Sequence, residues 1–163
     1  MGLHGLTGDE QVFGARVEKD SLQAWIEVDL DAITCNVKNL AGKLAQGTDL
    51  MAIVKADGYG HGAVPVAKAA LNAGATWLGV GSVEEGLELR EAGISQPILV
   101  LVPPLKAQLK TAVKQGLHIA VCTFEIAKAL SRAAVELGKK AKAHVKLDNG
   151  MGRLGLLPRD AVD

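Results

Sequence analysis

The sequence is poor in aromatic residues and cysteines, carries no net charge and contains no long apolar run. Aromatic residues make up 3% of the 163 residues, and the abundant glycine and aliphatic residues suit helices packed on a sheet better than an aromatic-rich sandwich. The 18 basic residues balance 18 acidic ones, so there is no electrostatic footprint for nucleic acid or an anionic membrane. The longest apolar stretch, residues 97–104, is far shorter than the roughly 20 residues that span a bilayer. We therefore expect a soluble domain without a nucleic-acid or membrane partner.

The cysteines and the N-terminal residues both indicate a cytoplasmic protein. Cys35 and Cys122 have neither CxxC nor zinc-ligand spacing, so we expect small core residues in a reducing compartment and no metal site. Residues 1–20 lack the contiguous apolar segment of a secretory signal. Because residues 1–22 show no clear period, we predict an N-terminal extension there and one domain over residues 23–163.

From Leu50 onward, strand-like and helix-like segments alternate at intervals of about 20–26 residues. The strand-like segments are continuous apolar runs, which indicates strands buried on both faces and hence an α/β fold with a parallel sheet covered by helices. An open doubly wound sheet and a (β/α)8 barrel both fit this pattern. A complete barrel takes about 250 residues, so the five βα-type units found here would form a partial barrel. Strands are predicted at 50–56, 76–81, 97–103, 117–122 and from residue 142.

Capping residues and glycines mark the predicted helix ends. Another strand is predicted at 24–30, followed by a helix at 31–44 with apolar residues at helical spacing. Ser82 and Glu85 form a capping-box pattern before a helix that stops at Gly93. Further helices are predicted at 63–74, at 104–116 and from Thr123 to about Gly138, and residues 158–163 look like the first turn of another.

A single lysine stands at the end of the first strand of this series. The apolar run that begins at Leu50 ends at Lys55 and leads into a glycine-rich loop, ADGYGHG. Ligands bind at the carboxyl ends of the strands in both α/β architectures. A lysine in a water-poor site there can act as a nucleophile toward an aldehyde and then as a general base, and the glycines would let Tyr59 and backbone amides approach an anion. The alternative is that Lys55 is a solvated charge beside an ordinary turn.

A second glycine-rich loop, KLDNGMGRLG at 146–155, is expected at the same edge. Lys146 lies within a predicted buried strand, where a lysine needs a partner or must lose its charge. Arg153 could donate to a phenolate or a carboxylate. The alternative is that Asp148 pairs with Arg153 and that Lys146 faces outward.

The histidines have simpler interpretations. His61, in the first glycine-rich loop, is expected to be a hydrogen-bonded structural residue more readily than a catalytic one. His118 and His144 fall in apolar strands and are expected to be satisfied core residues.

Five segments occur in the order and at the intervals found in alanine racemases. They are AWIEVDLDAITCNV, AIVKADGYGHG, GVGSVEEGLELREAGI, PILVL and VKLDNGMGRLG. VKADGYGHG is very specific to this family, and DNGMGRLG supports it independently. From about Ala24 to its end, the sequence resembles the N-terminal portion of an alanine racemase, which is a fold-type III pyridoxal-phosphate enzyme.

The resemblance implies a fold, a cofactor and a reaction. In the family an α/β barrel of the TIM type precedes a β-rich domain, and the first strand, here 24–30, joins that β-rich domain. The family enzyme is a head-to-tail homodimer. It is an isomerase that interconverts L-alanine and D-alanine through a pyridoxal 5'-phosphate aldimine and a carbanion, and it supplies D-alanine for the peptidoglycan of the cell wall.

Four residues match functional positions of the family. Lys55 matches the lysine that forms the internal aldimine and is one of two proton-transfer bases. Tyr59 matches a contact to the cofactor phosphate, and Arg153 matches the arginine that reaches the phenolic oxygen of the cofactor and the substrate region. Lys146 matches a lysine that is carbamylated in many members, a change that would turn the buried cation into an anion able to pair with arginine.

The sequence ends before other functional residues of the family. These are a histidine that stacks on the cofactor, an arginine beside its pyridine nitrogen, the rest of the phosphate site and a C-terminal-domain tyrosine that serves as the second base. The expectation is therefore an N-terminal fragment, inactive alone, whose partial barrel leaves two sheet edges exposed. Three alternatives stay open: a racemase of the same fold for serine or other amino acids, a non-catalytic pyridoxal-phosphate-binding barrel, and a fragment without cofactor.

Overall fold

The computed structural model describes residues 11–12, 15–16 and 23–160. Within the predicted N-terminal extension, strands β1 (Gln11–Val12) and β2 (Ala15–Arg16) form an antiparallel pair. The other residues of the extension lie outside the described residues, and so do the last three residues of the final predicted helix. The boundary of the extension at residue 22 stays a prediction.

Five parallel strands form the main sheet, in the order in which they occur along the chain. Each strand pairs with the next one after a crossover that contains a helix. A doubly wound sheet reverses its strand order, whereas this sheet does not. The α/β prediction is therefore confirmed in its barrel form, as a partial (β/α)8 barrel. The strands are β3 (Met51–Ile53), β4 (Trp77–Val80), β5 (Ile98–Val100), β6 (His118–Val121) and β7 (Lys142–Val145).

Two helices begin at the predicted capping residues. Ser82 Oγ accepts from the amide of Glu85, and Thr123 Oγ1 accepts from the amide of Ile126. None of the helices in the described ranges is both long enough and apolar enough to cross a membrane. The helices are α1 (Leu30–Ala41), α3 (Ala63–Asn72), α4 (Val83–Glu91), α5 (Leu109–Lys114) and α6 (Phe124–Glu136), with 3-10 turns at Lys106–Gln108 and Pro158–Asp160; the short element α2 (Lys55–Gly60) is a turn with left-handed backbone angles at residues 56–59.

Aliphatic side chains of the central strands form the core together with small residues of the helices. Leu78, Ile98 and Ile119 are completely buried, and burial of each such side chain contributes about 1.5–3 kcal/mol. Gly86 of α4 allows close helix packing, because a Cβ atom there would lie 2.9 Å from Cδ1 of Leu117. This packing fixes the three central strands, whose carboxyl ends border the candidate site.

Two predictions for the N-terminal part of the domain are wrong. Residues 24–29 form no strand, and Trp25 and Ile26 are 50% and 78% exposed. A strand requires a hydrogen-bonding neighbour, and no described strand lies beside this segment. Helix α1 ends at Ala41, and Leu40 on its predicted apolar face is exposed.

The two cysteines are free thiols in different surroundings. Cys122 is buried at the end of β6, as predicted, but Cys35 is exposed. The expectation of a core position for Cys35 is therefore wrong, because α1 contributes no buried residue to the structure.

Candidate active site at the carboxyl edge of the sheet

Lys55 lies just beyond strand β3, at the carboxyl edge of the sheet, where the sequence predicts it. Val54 is 1% exposed, and its amide donates to the carbonyl of Gly79 on β4 at 2.8 Å. This bond anchors the chain one residue before Lys55. The lysine side chain itself is half-buried.

The backbone that follows Lys55 turns in the left-handed conformation. Ala56, Asp57, Gly58 and Tyr59 have φ angles of 50°, 51°, 61° and 57°. Three of these residues carry a Cβ atom, and the left-handed region costs each of them about 1–2 kcal/mol. Such strain persists only where the surrounding structure over-determines it, and it concentrates at functional sites.

Hydrogen bonds around the turn hold this conformation in place. Asp57 Oδ1 accepts from the amide of Ala63 at 2.7 Å and so caps the start of α3. His61 Nδ1 lies 3.0 Å from the carbonyl oxygen of Gly58 and 3.1 Å from that of Tyr59. These contacts give His61 the structural role that the sequence favours.

Glu85 makes contacts that the sequence did not predict. Its Oε1 accepts from the amide of Ala56 at 3.0 Å, and its Oε2 accepts from the amide of Gly81 at 2.6 Å. A capping box would direct this carboxylate to the amide of Ser82. Glu85 instead connects the loop after Lys55 to the end of β4. One feature of the sequence could have indicated these contacts. The capping-box pattern directly follows a predicted strand, so Glu85 is expected at the same carboxyl edge of the sheet as Lys55.

Tyr59 is the predicted site residue that the structure brings to Lys55. The Nζ atom of Lys55 lies 5.8 Å from the centroid of the Tyr59 ring, close enough for attraction between the ammonium and the ring face. The tyrosine is 57% exposed. An exposed tyrosine ring therefore lies beside the amine of the half-buried Lys55.

Lys146 follows strand β7 and does not lie within it, because β7 ends at Val145. Its half-buried side chain reaches back over the sheet, and Nζ donates to the carbonyl of Leu101, just beyond β5, at 3.3 Å. The interpretation in which Lys146 faces outward is therefore wrong. A neutral carbonyl is the hydrogen-bond acceptor for this lysine.

Asp148 organises the second loop through backbone amides. Its Oδ1 accepts from the amides of Gly150 and Gly152, both at 3.0 Å. The hydrogen bonds from Gly152 and then Gly150 hold the pKa of Asp148 below its ordinary value. Arg153 is exposed, and a pair between it and Asp148 is not among the ion pairs within residues 23–160. The simple pairing of these two residues is therefore wrong.

The two candidate loops follow the two outermost strands of the sheet. Strand β3, before Lys55, and strand β7, before Lys146, are the end members of the five-stranded order. No hydrogen bond or ion pair joins loop 55–62 to loop 146–156 within the described part of the chain. The structure thus brings Tyr59 to Lys55, whereas Lys146 and Arg153 make no hydrogen bond or ion pair with Lys55 among the described residues.

His118 and His144 form a pair with each other. His118 Nδ1 lies 3.1 Å from His144 Nε2, and the Trp77 ring packs edge-on against His118 with centroids 4.6 Å apart. Burial, and then the positive charge of Lys142, lowers the pKa of His118 to about 4. His118 and Trp77 begin their strands, at the sheet edge opposite to Lys55. Both histidines are hydrogen-bonded, as the sequence indicates, but both are half-buried, so the expectation of a core position is wrong.

Comparison with known proteins adds to this geometry. Residues 28–163 match the family model of the alanine racemase N-terminal domain. The chain is 51% identical over 136 residues to the alanine racemase of Symbiobacterium thermophilum, an alignment that covers 83% of this chain and 36% of that protein. The chain thus spans little more than a third of the length of this relative.

Solved structures show the same relationship. The alanine racemase of Bacillus anthracis with bound L-Ala-P superposes with a TM-score of 0.78 at 40% identity, over 83% of this chain and 35% of that one. A histidine racemase from Leuconostoc mesenteroides superposes with a TM-score of 0.74 at 29% identity, over 80% and 35% of the two chains. Since the family model covers most of the chain as well, this protein belongs to the alanine racemase family, and its matched residues belong to the N-terminal domain of that family.

Proposed function

We propose that this chain is the part of a pyridoxal-phosphate-dependent alanine racemase that holds the cofactor on Lys55. The observation that carries the proposal is the placement of Lys55, a half-buried amine on a strained left-handed turn at the carboxyl edge of a barrel sheet. Ligand sites of α/β barrels lie at this edge. The family match supports the same residue, because the VKADGYGHG segment lies inside the matched range.

The donors present in the described residues fit the chemistry of pyridoxal phosphate. An aldehyde requires a primary amine that is not held by a carboxylate, and Lys55 is in none of the ion pairs within residues 23–160. A phosphate group requires hydrogen-bond donors, which the hydroxyl of Tyr59 can supply. A phenolate oxygen requires a cationic donor, and the exposed guanidinium of Arg153 is of that type.

Each residue then has a defined part in the reaction. Lys55 Nζ would hold the cofactor through its aldehyde carbon and, once released by the incoming substrate amine, would move the proton at the substrate Cα on one face. Tyr59 would bind the phosphate, and Arg153 would donate to the phenolic oxygen. Lys146 would become anionic if its neutral amine took up carbon dioxide and released a proton, and the resulting carbamate would orient an arginine. The bound cofactor supplies the electron sink for the pair left at Cα when that proton departs.

Inversion at Cα requires a base on both faces, and Lys55 serves only one of them. We assign the second face to a tyrosine of a partner subunit's C-terminal domain, outside this chain, in a homodimer. The proposal extends to the cellular role, which is the cytoplasmic supply of D-alanine for peptidoglycan.

The proposal is tested by mixing the purified chain with pyridoxal phosphate, reducing with borohydride and mapping the labelled peptide. We expect label on Lys55, loss of that label in Lys55→Ala, and no change in the matched variant Lys68→Ala, since Lys68 is an exposed lysine of the neighbouring helix α3. Label spread evenly over surface lysines would show that Lys55 is not a cofactor site in this chain.

Histidine is the second candidate substrate, because the fold also matches a histidine racemase. Alanine is favoured, since identity to the alanine racemases reaches 51% and 40%, against 29% for the histidine racemase. Incorporation of deuterium from D2O at Cα distinguishes the two. With one base present, we expect the cofactor-loaded chain to label alanine faster than histidine and without inversion.

A further inference from the structure

We infer that Glu85 is a positioning residue for Lys55. The inference deepens the proposed function, on which its relevance to the cofactor rests. The contacts that support it belong to Glu85 itself. Its side chain starts on α4 and joins two other segments, the turn after β3 and the end of β4.

The carboxylate of Glu85 accepts one hydrogen bond on each oxygen, one from a distant part of the chain and one from the residue that precedes its own helix cap. Oε1 accepts from the amide of Ala56, 29 residues away in sequence, and Oε2 accepts from the amide of Gly81. Bonds to an ionised acceptor are roughly twice as strong as those between neutral groups. The carboxylate therefore fixes the turn that carries Lys55 relative to the sheet.

The stem of Lys55 and this carboxylate both lie close to Gly81. A Cβ atom at Gly81 would lie 3.3 Å from Glu85 Oε2 and 3.6 Å from Cβ of Lys55. The lysine stem and the carboxylate thus pack against the same face of the same glycine. The absence of a side chain at position 81 makes room for both.

The residues on both sides of Lys55 are held by hydrogen bonds, and Glu85 makes the bond on the C-terminal side. The residue before Lys55 is anchored, since the Val54 amide donates to the carbonyl of Gly79. The residue after it, Ala56, is the first residue of the strained turn, and Glu85 holds its amide. With both neighbours tied to β4 or to its end, the direction in which the Lys55 side chain leaves the backbone is set.

The geometry requires a carboxylate and not merely a polar group of the same size. Both oxygens act as acceptors, whereas a glutamine has one acceptor oxygen and would turn its NH2 group toward an amide donor. Glu85→Gln therefore must lose one of the two bonds. Glu88→Gln is the matched control, because it removes a carboxylate of the same helix whose residue is exposed.

The test compares the unsubstituted chain, Glu85→Gln and Glu88→Gln by NMR and by borohydride trapping. We expect Glu85→Gln to accelerate hydrogen exchange about tenfold at the Ala56 or the Gly81 amide, and to weaken the nuclear Overhauser effect between the Lys55 β-protons and the Gly81 α-protons. Trapping of pyridoxal phosphate should slow about tenfold at Lys55 but not at Lys68. Glu88→Gln should change none of these.

The outcomes separate the inference from the proposed function. Unchanged exchange and an unchanged Overhauser effect in Glu85→Gln overturn the inference, whatever happens at the cofactor. A second outcome is that exchange and the Overhauser effect both change in Glu85→Gln but the unsubstituted chain shows no label on Lys55. This outcome supports the positioning of Lys55 by Glu85 and contradicts the proposed function. If Glu85→Gln does not fold, Glu85→Asp keeps the negative charge near the start of α4 but is too short for both amides, and the same measurements decide.

Discussion

At the scale of single residues, the left-handed turn after Lys55 is the most unusual feature of the chain. Ala56, Asp57 and Tyr59 occupy a backbone region that glycine adopts readily and other residues avoid. The glycines of the sequence indicated a loop here. The alanine, aspartate and tyrosine of the same turn do not indicate that its backbone is left-handed. Bonds from outside the turn, among them those of Glu85 and Ala63, provide the compensation.

The same substitution should have opposite effects at two alanines. Ala56→Gly relieves the left-handed strain and should raise the free energy of unfolding by about 0.5–1 kcal/mol, since the greater entropy of the unfolded chain offsets part of the gain. Ala69→Gly, in the right-handed helix α3, should lower it by about 1 kcal/mol. Urea unfolding of both variants measures the difference. If both substitutions lowered the free energy of unfolding, the turn would not be strained in solution.

At the scale of elements, the second loop depends on a close approach between its two ends. Leu147 and Leu156 form a parallel bridge; the amide of Asp148 donates to the carbonyl of Leu156 at 2.8 Å, and the amide of Leu156 donates to the carbonyl of Lys146 at 2.9 Å. Gly155 lies in this contact. The glycine pattern predicted the loop, but only the folded backbone distinguishes a glycine that must be small from one that merely turns.

Gly155→Ala and Gly150→Ala separate these two roles. Both glycines have positive φ, at 137° and 131°. A Cβ atom at Gly155 would lie 2.5 Å from the amide nitrogen of Asp148, whereas nothing lies within 4 Å of one at Gly150. We expect hydrogen exchange at the Leu156 amide to accelerate at least about tenfold in Gly155→Ala and clearly less in Gly150→Ala, because overpacking costs about 1–3 kcal/mol. Equal exchange in the two variants would contradict the close approach.

At the scale of the whole molecule, the strand order decides the architecture. The five strands follow one another without reversal, and within the described residues β3 and β7 each pair on one side only. Hydrophobic periodicity predicted the number of strands and their parallel direction, since both depend on runs of neighbouring residues. Closure depends on which strands become neighbours, which the pattern left open.

Global stability should depend on pH through His118. Its pKa falls from 6.5 in the unfolded chain to about 4 in the folded state, chiefly because of burial. As pH decreases below 6.5, the unfolded state binds this proton before the folded state does. The contribution of neutral His118 to the free energy of unfolding is therefore complete above pH 6.5 and is lost toward pH 4. Because the imidazole is only half-buried, we expect a loss of about 1–2 kcal/mol.

The measurement is urea unfolding of the unsubstituted chain and of His118→Gln at pH 7 and at pH 4.5. The variant removes the titrating group, so its free energy of unfolding should decrease less between the two pH values. A pH dependence identical to that of the unsubstituted chain would assign the effect to other groups.

The sequence by itself determined the alternation of strands and helices, the caps at Ser82 and Thr123, and the position of Lys55 at a strand end, because each depends on neighbouring residues. The tertiary structure decided the barrel-like strand order, the contact of Lys146 with Leu101 and the two amide partners of Glu85. It also showed 24–29 without a strand and Cys35 exposed. The reason is physical: burial and pairing are properties of segments that meet in space, and local periodicity does not specify which segments meet.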